Sequence, residues 1–153
     1  MSSTSHRLDD LILAIAANSI DIAEDIVCSP GFDVNRLSSR GLPPLLIASA
    51  YGRGEIVKLL ISRRSNIHQQ IQGTGLTALH VASSNGFADV VNLLISSGAD
   101  IHKRDSSGAT ALNYAEISPQ PLELTSVSQE KIDKGDESLI TMRHECIRIL
   151  EKT

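Results

Sequence analysis

The sequence predicts an all-α solenoid, built from stacked helix-turn-helix units with hairpin loops between them. First, the chain repeats itself: a shift of 34 residues brings Gly41 onto Gly75, and a further shift of 33 brings Gly75 onto Gly108. Second, apolar residues inside each copy recur at the spacing of a helix. Third, with no Trp, 2 Phe and 2 Tyr, the core must consist of aliphatic side chains. Repetition at this period is the sequence signature of a repeat architecture.

The second helix of each unit is amphipathic. Residues 55–61 and 89–95 read EIVKLLI and DVVNLLI, with apolar residues at positions i, i+3 and i+4. This spacing places them on one face of a helix, which we expect to be buried. Turn-forming residues follow at 97–102 and, in a degenerate copy, at 64–68. Each unit is therefore predicted to run helix, turn, helix, hairpin loop.

A shorter apolar helix precedes the amphipathic one in each unit. Residues 45–50 follow a Pro-Pro pair and end before Gly52, and residues 79–84 follow Thr77 and end before Gly86. Proline suits the first turn of a helix, and glycine suits its C-terminal cap. We predict two short helices with these limits.

Residues 71–104 resemble the ankyrin repeat, whose pattern runs Gly-x-Thr-Pro-Leu-His-x-Ala-Ala, then Gly-x-x-x-Val-Val-x-Leu-Leu, then Gly-Ala-Asp. The residues in register are Gly75, Thr77, Leu79, His80, Ala82, Gly86, Val90, Val91, Leu93, Leu94, Gly98, Ala99 and Asp100. The resemblance implies four units, at residues 8–37, 38–70, 71–104 and 105–153, with the first and last acting as caps. It also implies that His80 ties one hairpin to the next.

The unit at residues 38–70 departs from this pattern at three positions. Pro43 stands at the Thr position, Leu46 at the His position, and Arg64 replaces the turn glycine. The hydrogen bonds between Thr and His are therefore absent there. We expect this unit to be the weakest of the stack, with Arg64 at the positive φ that its turn requires.

The N-terminal end is predicted to be a capping unit. Residues 1–7 are expected to be disordered, and residues 8–37 to form the cap. Asp9 and Asp10 are expected at the N-terminus of its first helix, where negative charge is favourable.

The C-terminal unit, residues 105–153, is interrupted. Its first helix is followed by an insert at about residues 117–137, which carries two prolines, several serines and an acidic bias. Apolar residues at helical spacing return only at about 139–150. We expect a mobile insert and a docked terminal helix, because the insert has too few apolar residues to fold alone.

The net charge of −4 is unevenly distributed. Residues 1–104 hold nine Lys or Arg and nine Asp or Glu, whereas residues 105–153 hold five and nine. No basic stripe with interleaved aromatics occurs, so we expect no direct contact with nucleic acid. The acidic last third favours a protein partner that is basic. We expect the protein itself to be a monomer.

Two features indicate the compartment. Cys28 and Cys146 lie 118 residues apart and are expected to be free thiols that fill the core, which fits a reducing environment. The apolar run 11–20 is flanked by aspartates, which do not suit a signal peptide, and is too short to span a bilayer. We therefore expect an intracellular protein of the cytoplasm, the nucleus or both, without membrane contact.

Three patterns of possible chemistry are weak. Residues 73–78 spell the dinucleotide fingerprint G-x-G-x-x-A, but the preceding HQQIQ is not the buried strand that such a site needs.

Five histidines occur in the chain, namely His6, His68, His80, His102 and His144. His68 and His102 are equivalent in adjacent repeats, about one helix diameter apart, which is too far to share a metal ion. No pattern of catalytic nucleophile and base occurs. We expect no enzyme, no cofactor and no metal; a small cofactor-binding enzyme is the alternative from another class of function.

The predicted function is to bind another protein on a concave face made of hairpin tips and the exposed side of each first helix. The family's variable positions correspond here to Arg40, Leu42, Ala50, Tyr51, Thr74, Leu76, Ser84, Asn85, Ser106, Ser107 and Ala109. Leu42, Leu76 and Ala109 are expected to form an exposed ladder, with Tyr51 and Arg40 beside it. The alternative is a small chaperone or escort of a basic ribosomal or nucleic-acid-binding protein.

Overall fold

The computed structural model describes residues 3–117 and 137–153, with side chains for residues 6–116 and 143–153. In these ranges the chain forms eight helices and no strand: α1 (Ser3–Ala17), α2 (Ile20–Val27), α3 (Pro44–Ala50), α4 (Gly54–Ser62), α5 (Ala78–Ser84), α6 (Ala88–Ser96), α7 (Ala111–Ile117) and α8 (Glu137–Lys152). The prediction of an all-α fold is confirmed.

The helices pair into four units and stack in two layers. Each unit is a pair of contacting helices, α1 with α2, α3 with α4, α5 with α6 and α7 with α8. The first helices pack in the order α1, α3, α5, α7, and the second helices in the order α2, α4, α6, α8. One apolar core runs through the stack, from Leu11 in α1 to Leu150 in α8. Each unit therefore buries its apolar residues only against its neighbours.

The short first helices begin and end where the sequence predicts. Pro44 occupies the first turn of α3, and the side chain of Thr77 caps the N-terminus of α5. Gly52 and Gly86 follow these helices with φ angles of 67° and 74°. Asn18 takes the same place after α1, with φ at 56°, a conformation that Asn tolerates better than most residues.

The N-terminal unit differs from the prediction. Helix α1 begins at Ser3, so residues 3–7, expected to be disordered, are helical. Asp9 and Asp10 consequently lie inside the helix and not at its N-terminus. The physical reason is that Leu8 is buried, so the helix is already held against the protein at the point from which residues 3–7 extend it.

The C-terminal unit takes its second helix from far along the chain. Helix α8 packs against α7 and α6, which is the position of a second helix in this stack. Cys146 and Leu150 are buried in the interface, as the helical spacing predicted. The expected mobility of the insert at about 117–137 concerns residues outside the described ranges.

Arg64 lies in the turn after α4 with φ at +64°, as expected. Gly98 occupies the corresponding turn after α6 with φ at 98°. The backbone N–H of Arg64 donates to the carbonyl of Ile61 at 2.9 Å, and the N–H of Ser65 to that of Leu60 at 3.1 Å. These bonds fix the turn, so Arg64 pays the steric cost that left-handed backbone imposes on a side chain.

Replacing Arg64 with glycine should stabilise the protein. Arg64→Gly relieves a left-handed strain of about 1–2 kcal/mol, of which the larger freedom of glycine in the unfolded chain offsets part. We expect the free energy of unfolding to rise by about 0.5–1 kcal/mol in urea titrations. Arg63→Gly is the matched control, since Arg63 has φ at −95° and should gain nothing. Equal behaviour of the two variants would contradict the strain.

Candidate partner-binding surface

Three connecting segments, residues 28–43, 63–77 and 97–110, join consecutive units. Each contains a hairpin closed by a backbone bond, from the N–H of Ser38, Ile71 or Asp105 to the carbonyl of Leu42, Leu76 or Ala109 respectively. The middle hairpin spans one residue more than the other two. The extra residue explains why the repeat period is 34 at one step and 33 at the next.

The second and third hairpins are bonded to each other. The backbone N–H and the hydroxyl of Ser106 both donate to the carbonyl of Thr74, each at 2.9 Å. The side-chain amide of Gln70 donates to the carbonyl of Gly75 at 2.7 Å and to that of Arg104 at 3.3 Å. Gly75 has φ at +70°, and a Cβ added there would meet the Ser106 nitrogen at 2.9 Å. Only glycine fits this close approach of two backbones.

The first and second connecting segments are also tied together. The side chain of Asn35 donates from Nδ2 to the carbonyl of Arg64 at 3.4 Å. Its Oδ1 accepts the backbone N–H of Asn66 at 2.7 Å. One asparagine thus bridges to the turn after α4, and all three segments lie side by side as one surface.

His80 connects the third unit to the last hairpin. Its Nε2 lies 3.2 Å from the carbonyl oxygen of Ala109, and because a carbonyl only accepts, Nε2 carries the proton. Nδ1 then accepts from the backbone N–H of Thr77 at 3.2 Å and from its hydroxyl at 2.8 Å. The ring is therefore a neutral imidazole, and the resemblance's prediction for His80 is confirmed. In the last unit, Asn113 accepts from Thr110 in the same way.

Tyr114 extends this network. Its ring stands edge-on to His80, with centroids 5.7 Å apart and planes at 88°. Its hydroxyl donates to Oδ2 of Asp105 at 2.6 Å, which, with burial, raises the pKa of Tyr114 to about 12. Burial acts to raise the pKa of Asp105, but hydrogen bonds from Tyr114, Ser107 and the Ala109 N–H outweigh it and hold the pKa well below its usual range. Asp105 thus stays ionised and fixes the hairpin.

The predicted site residues fall into two sets by exposure. Those that are exposed are Arg40, Thr74, Ser106 and Ser107, with Tyr51 half-buried. Those that are buried are Leu42, Leu76, Ser84 and Asn85. The expectation of an exposed leucine ladder is therefore wrong: Leu42 and Leu76 are only 8% and 6% exposed. Both hairpin leucines fold back into the core beside the helices.

The first helices of the two inner units, α3 and α5, also lack the exposed side that was expected of them. Every residue of α3 and of α5 is buried. Ser84 and Asn85 end α5, and the amide of Asn85 donates to the carbonyl of Ala50 in the preceding unit at 2.9 Å. Asn85 therefore has a structural role between units, and α3 and α5 present no exposed side chain to a binding face.

Tyr51 lies away from the other exposed residues. It caps α3, whose seven residues separate it from the hairpin by about 10 Å. The guanidinium of Arg53 lies 5.8 Å from the centroid of the Tyr51 ring, and it also donates to the carbonyls of Ile15 and Ala16. The predicted site is therefore split between the hairpin end and the opposite end of the first helices.

The connecting segments are basic, a feature that the sequence analysis missed. They contain Arg36, Arg40, Arg63, Arg64, Lys103 and Arg104, against Asp33, Asp100 and Asp105. Each aspartate accepts a backbone N–H two residues further along the chain, which occupies it within its own turn. The signal was the position of these charges within each repeat, which a count over residues 1–104 does not reveal.

The candidate chemistry has structural explanations. Gly73 and Gly75 belong to the middle hairpin, and no strand precedes them in the described chain. No group of three potential metal ligands occurs among the described residues. Cys28 is exposed, not in the core as expected, with its sulfur 2.8 Å from a guanidinium nitrogen of Arg63. Burial raises the pKa of Cys146 to about 11, so that thiol is unreactive at neutral pH.

Stacked helix pairs with bonded hairpins define a repeat solenoid of the class that serves as an interaction scaffold. The family model of ankyrin repeats, three copies, matches residues 11–105 and 45–121 of the chain. The chain belongs to the ankyrin-repeat family, whose members generally mediate protein–protein interactions and are typically not enzymes. No curated protein matches it significantly. Among the described helices, none has the length and apolarity to cross a membrane.

Truncating a hairpin leucine should cost stability. Leu42→Ala removes three buried carbons from the core, and we expect the free energy of unfolding to fall by about 2–3 kcal/mol. Leu37→Ala, in the same segment but 38% exposed, is the control and should cost less than about 1 kcal/mol. Equal losses in chemical denaturation would contradict the burial of Leu42.

His80 should make stability depend on pH. Burial lowers the pKa of His80 below 6.5, while the Ala109 carbonyl and the charge of Asp105 oppose the shift. Below about pH 6.5 the unfolded chain therefore binds a proton at His80 more readily than the folded chain does. The free energy of unfolding is accordingly highest above about pH 6.5 and declines as pH falls below it. His80→Asn should cost about 1 kcal/mol at pH 7, for the lost bond to Ala109, and should remove much of the decline between pH 7 and 5.

Thermal unfolding of both proteins across this pH range checks the prediction. Asn113 already accepts the equivalent bonds from Thr110, so asparagine should preserve the cap. An unchanged pH dependence in His80→Asn would exclude His80 as its source.

Proposed function

We propose that the protein binds a partner protein through its hairpin face, which comprises the exposed side chains of Arg36, Arg40, Thr74, Arg104, Ser106 and Ser107. The observation that carries the proposal is the excess of basic residues on these segments, whose three aspartates are engaged in their own turns. A partner segment with exposed carboxylates complements this surface.

Rigidity of the hairpins supports the same proposal. Hydrogen bonds of Asn35, Gln70 and Ser106 hold neighbouring segments together. Little backbone conformational entropy is therefore lost when a partner binds. Arg36 and Arg40 are exposed and form no ion pair with another described residue. Guanidinium groups bind carboxylates in a two-pronged geometry, which favours an acidic peptide over a purely apolar one.

The expectation of a basic partner rested on the acidic last third of the chain. Four of the nine acidic residues in that third lie between residues 118 and 136, outside the described ranges. The escort of a basic protein therefore remains the alternative, and it predicts that binding of the partner does not require the hairpin face.

Reversing charge on the hairpin face should abolish partner recovery. We expect the double variant Arg36→Glu/Arg40→Glu to lose a partner that the tagged full-length protein captures from its own cells, identified by mass spectrometry and then tested with purified components. Because like charges repel across an interface, affinity should fall at least about tenfold.

The matched control is Lys58→Glu/Arg148→Glu, which makes the same change of charge on the second helices. Both residues are exposed, and their ion pairs with Glu55 and Glu145 contribute little stability. Retention of the partner by the hairpin variant and loss by the control would place the interface on the second helices and exclude the hairpin face.

Tyr51 is the separate test of how far the interface extends. If the partner also reaches the opposite end of α3, Tyr51→Ala should weaken binding by more than about 1 kcal/mol, because aromatic residues often dominate interface energies. Normal affinity of Tyr51→Ala beside weak affinity of the arginine variant would confine the interface to the hairpins.

A further inference from the structure

The first unit exposes two large apolar side chains on its outer side. Leu13 in α1 is 66% exposed and Ile22 in α2 is 53% exposed, the two highest values for large apolar residues in the described chain. A helical residue of this kind normally faces the core of a solenoid. The exposure of Leu13 and Ile22 therefore calls for a structural explanation.

The repeat register supplies the reason. Alignment of Asn18 with Gly52 and Gly86 places Leu13 over Ile47 and Val81, and Ile22 over Ile56 and Val90. All four of these equivalent residues are at most 6% exposed. Within the described residues, the first unit has every neighbour that an inner unit has except a preceding one. Leu13 and Ile22 thus belong to the side on which each inner unit is covered by the unit before it.

Helices cover this side in the inner units. Helix α1 packs on α3, and α2 packs on α4, so the equivalents of Leu13 and Ile22 contact helical neighbours. The uncovered side therefore has the shape that accepts a helix. We call it the N-terminal face, with Leu13 and Ile22 at its centre.

Aspartates surround this apolar centre. Asp9 and Asp10 lie one turn before Leu13 in α1, and Asp25 lies one turn after Ile22 in α2, with Asp21 one turn before Asp25. All four are exposed, and the ion pairs of the described chain involve none of them. Arg7 is the only Lys or Arg in α1 and α2.

We propose that the N-terminal face is a second interaction surface, which binds a basic amphipathic helix of another protein. Its apolar stripe would cover Leu13 and Ile22, and its Lys or Arg side chains would meet the four aspartates. The aspartates disfavour a symmetric pairing of two N-terminal faces, because such a pairing would bring like charges together. The surface is separate from the hairpin face and has the opposite charge.

A designed helical peptide tests the proposal with the full-length protein. The probe has about 18 residues, five helical turns, with a leucine stripe flanked by lysines and a fluorescent label. We expect saturable binding by fluorescence anisotropy, weakened by added salt. Two comparison peptides, with lysines changed to glutamates or leucines to serines, should bind at least about tenfold more weakly.

Protein variants locate the binding site. Leu13→Gln/Ile22→Gln should weaken binding of the lysine-leucine peptide at least about tenfold, and Asp9→Asn/Asp10→Asn should weaken it and reduce its salt dependence. These side chains are exposed, so thermal unfolding should change little. Leu37→Gln is the matched control and should bind normally, as should Arg36→Glu/Arg40→Glu, which separates this surface from the hairpin face.

Three results would overturn the proposal. The first is absence of saturable peptide binding, and the second is equal affinity for the wild type and for Leu13→Gln/Ile22→Gln. The third is self-association of the wild type in sedimentation that the same double variant abolishes, since a second copy of the chain would then be the occupant.

Discussion

The stack depends on how each first helix ends. A left-handed residue at Asn18, Gly52 or Gly86 stops the helix and leaves its last carbonyl groups without partners inside the helix. A side chain of the following unit binds these carbonyls. The side chain of Arg53 donates to the carbonyls of Ile15 and Ala16, that of Asn85 to the carbonyl of Ala50, and that of Arg143 to the carbonyl of Ser84. These distances are 2.9 to 3.1 Å. The same end of each helix therefore both terminates one unit and attaches the next, so that neither can be changed without the other.

Periodicity in the sequence predicted the elements of the fold, but not which side chains they bury. Helix limits at Pro44, Thr77 and Gly86 and the left-handed turn at Arg64 follow from local chemistry, which is visible in a short window of sequence. Leu42 illustrates the limit. Its position in the family pattern is variable, but whether a hairpin residue faces solvent depends on how the hairpin folds against a neighbouring unit. The prediction for Cys28 was wrong in the opposite sense: it was expected in the core but is exposed, because the end of α2 reaches solvent.

Charge illustrates the same limit on a larger scale. Residues 1–104 hold equal numbers of acidic and basic residues, which suggests no electrostatic preference. The fold separates them, because α1 and α2 carry exposed aspartates while the connecting segments carry exposed arginines. Since each unit contacts only its neighbours, the fold does not bring residues that are distant in sequence together. Charged residues of distant units therefore stay on separate parts of the surface. Only the repeat register assigns each charge to a face.

The second unit has fewer capping contacts than the third, which is the other inner unit. Pro43 gives α3 no side-chain cap, whereas Thr77 and His80 cap α5 reciprocally. Arg64 adds strain in the turn that Asn35 contacts. In a linear array, stability is a sum of unit and interface contributions, so local opening is cheapest at the weakest unit. Arg53, which attaches the first unit, belongs to this second unit. A ligand that binds only the folded stack stabilises it by mass action, so occupancy of a surface that includes Arg40 of the second unit would oppose this local opening.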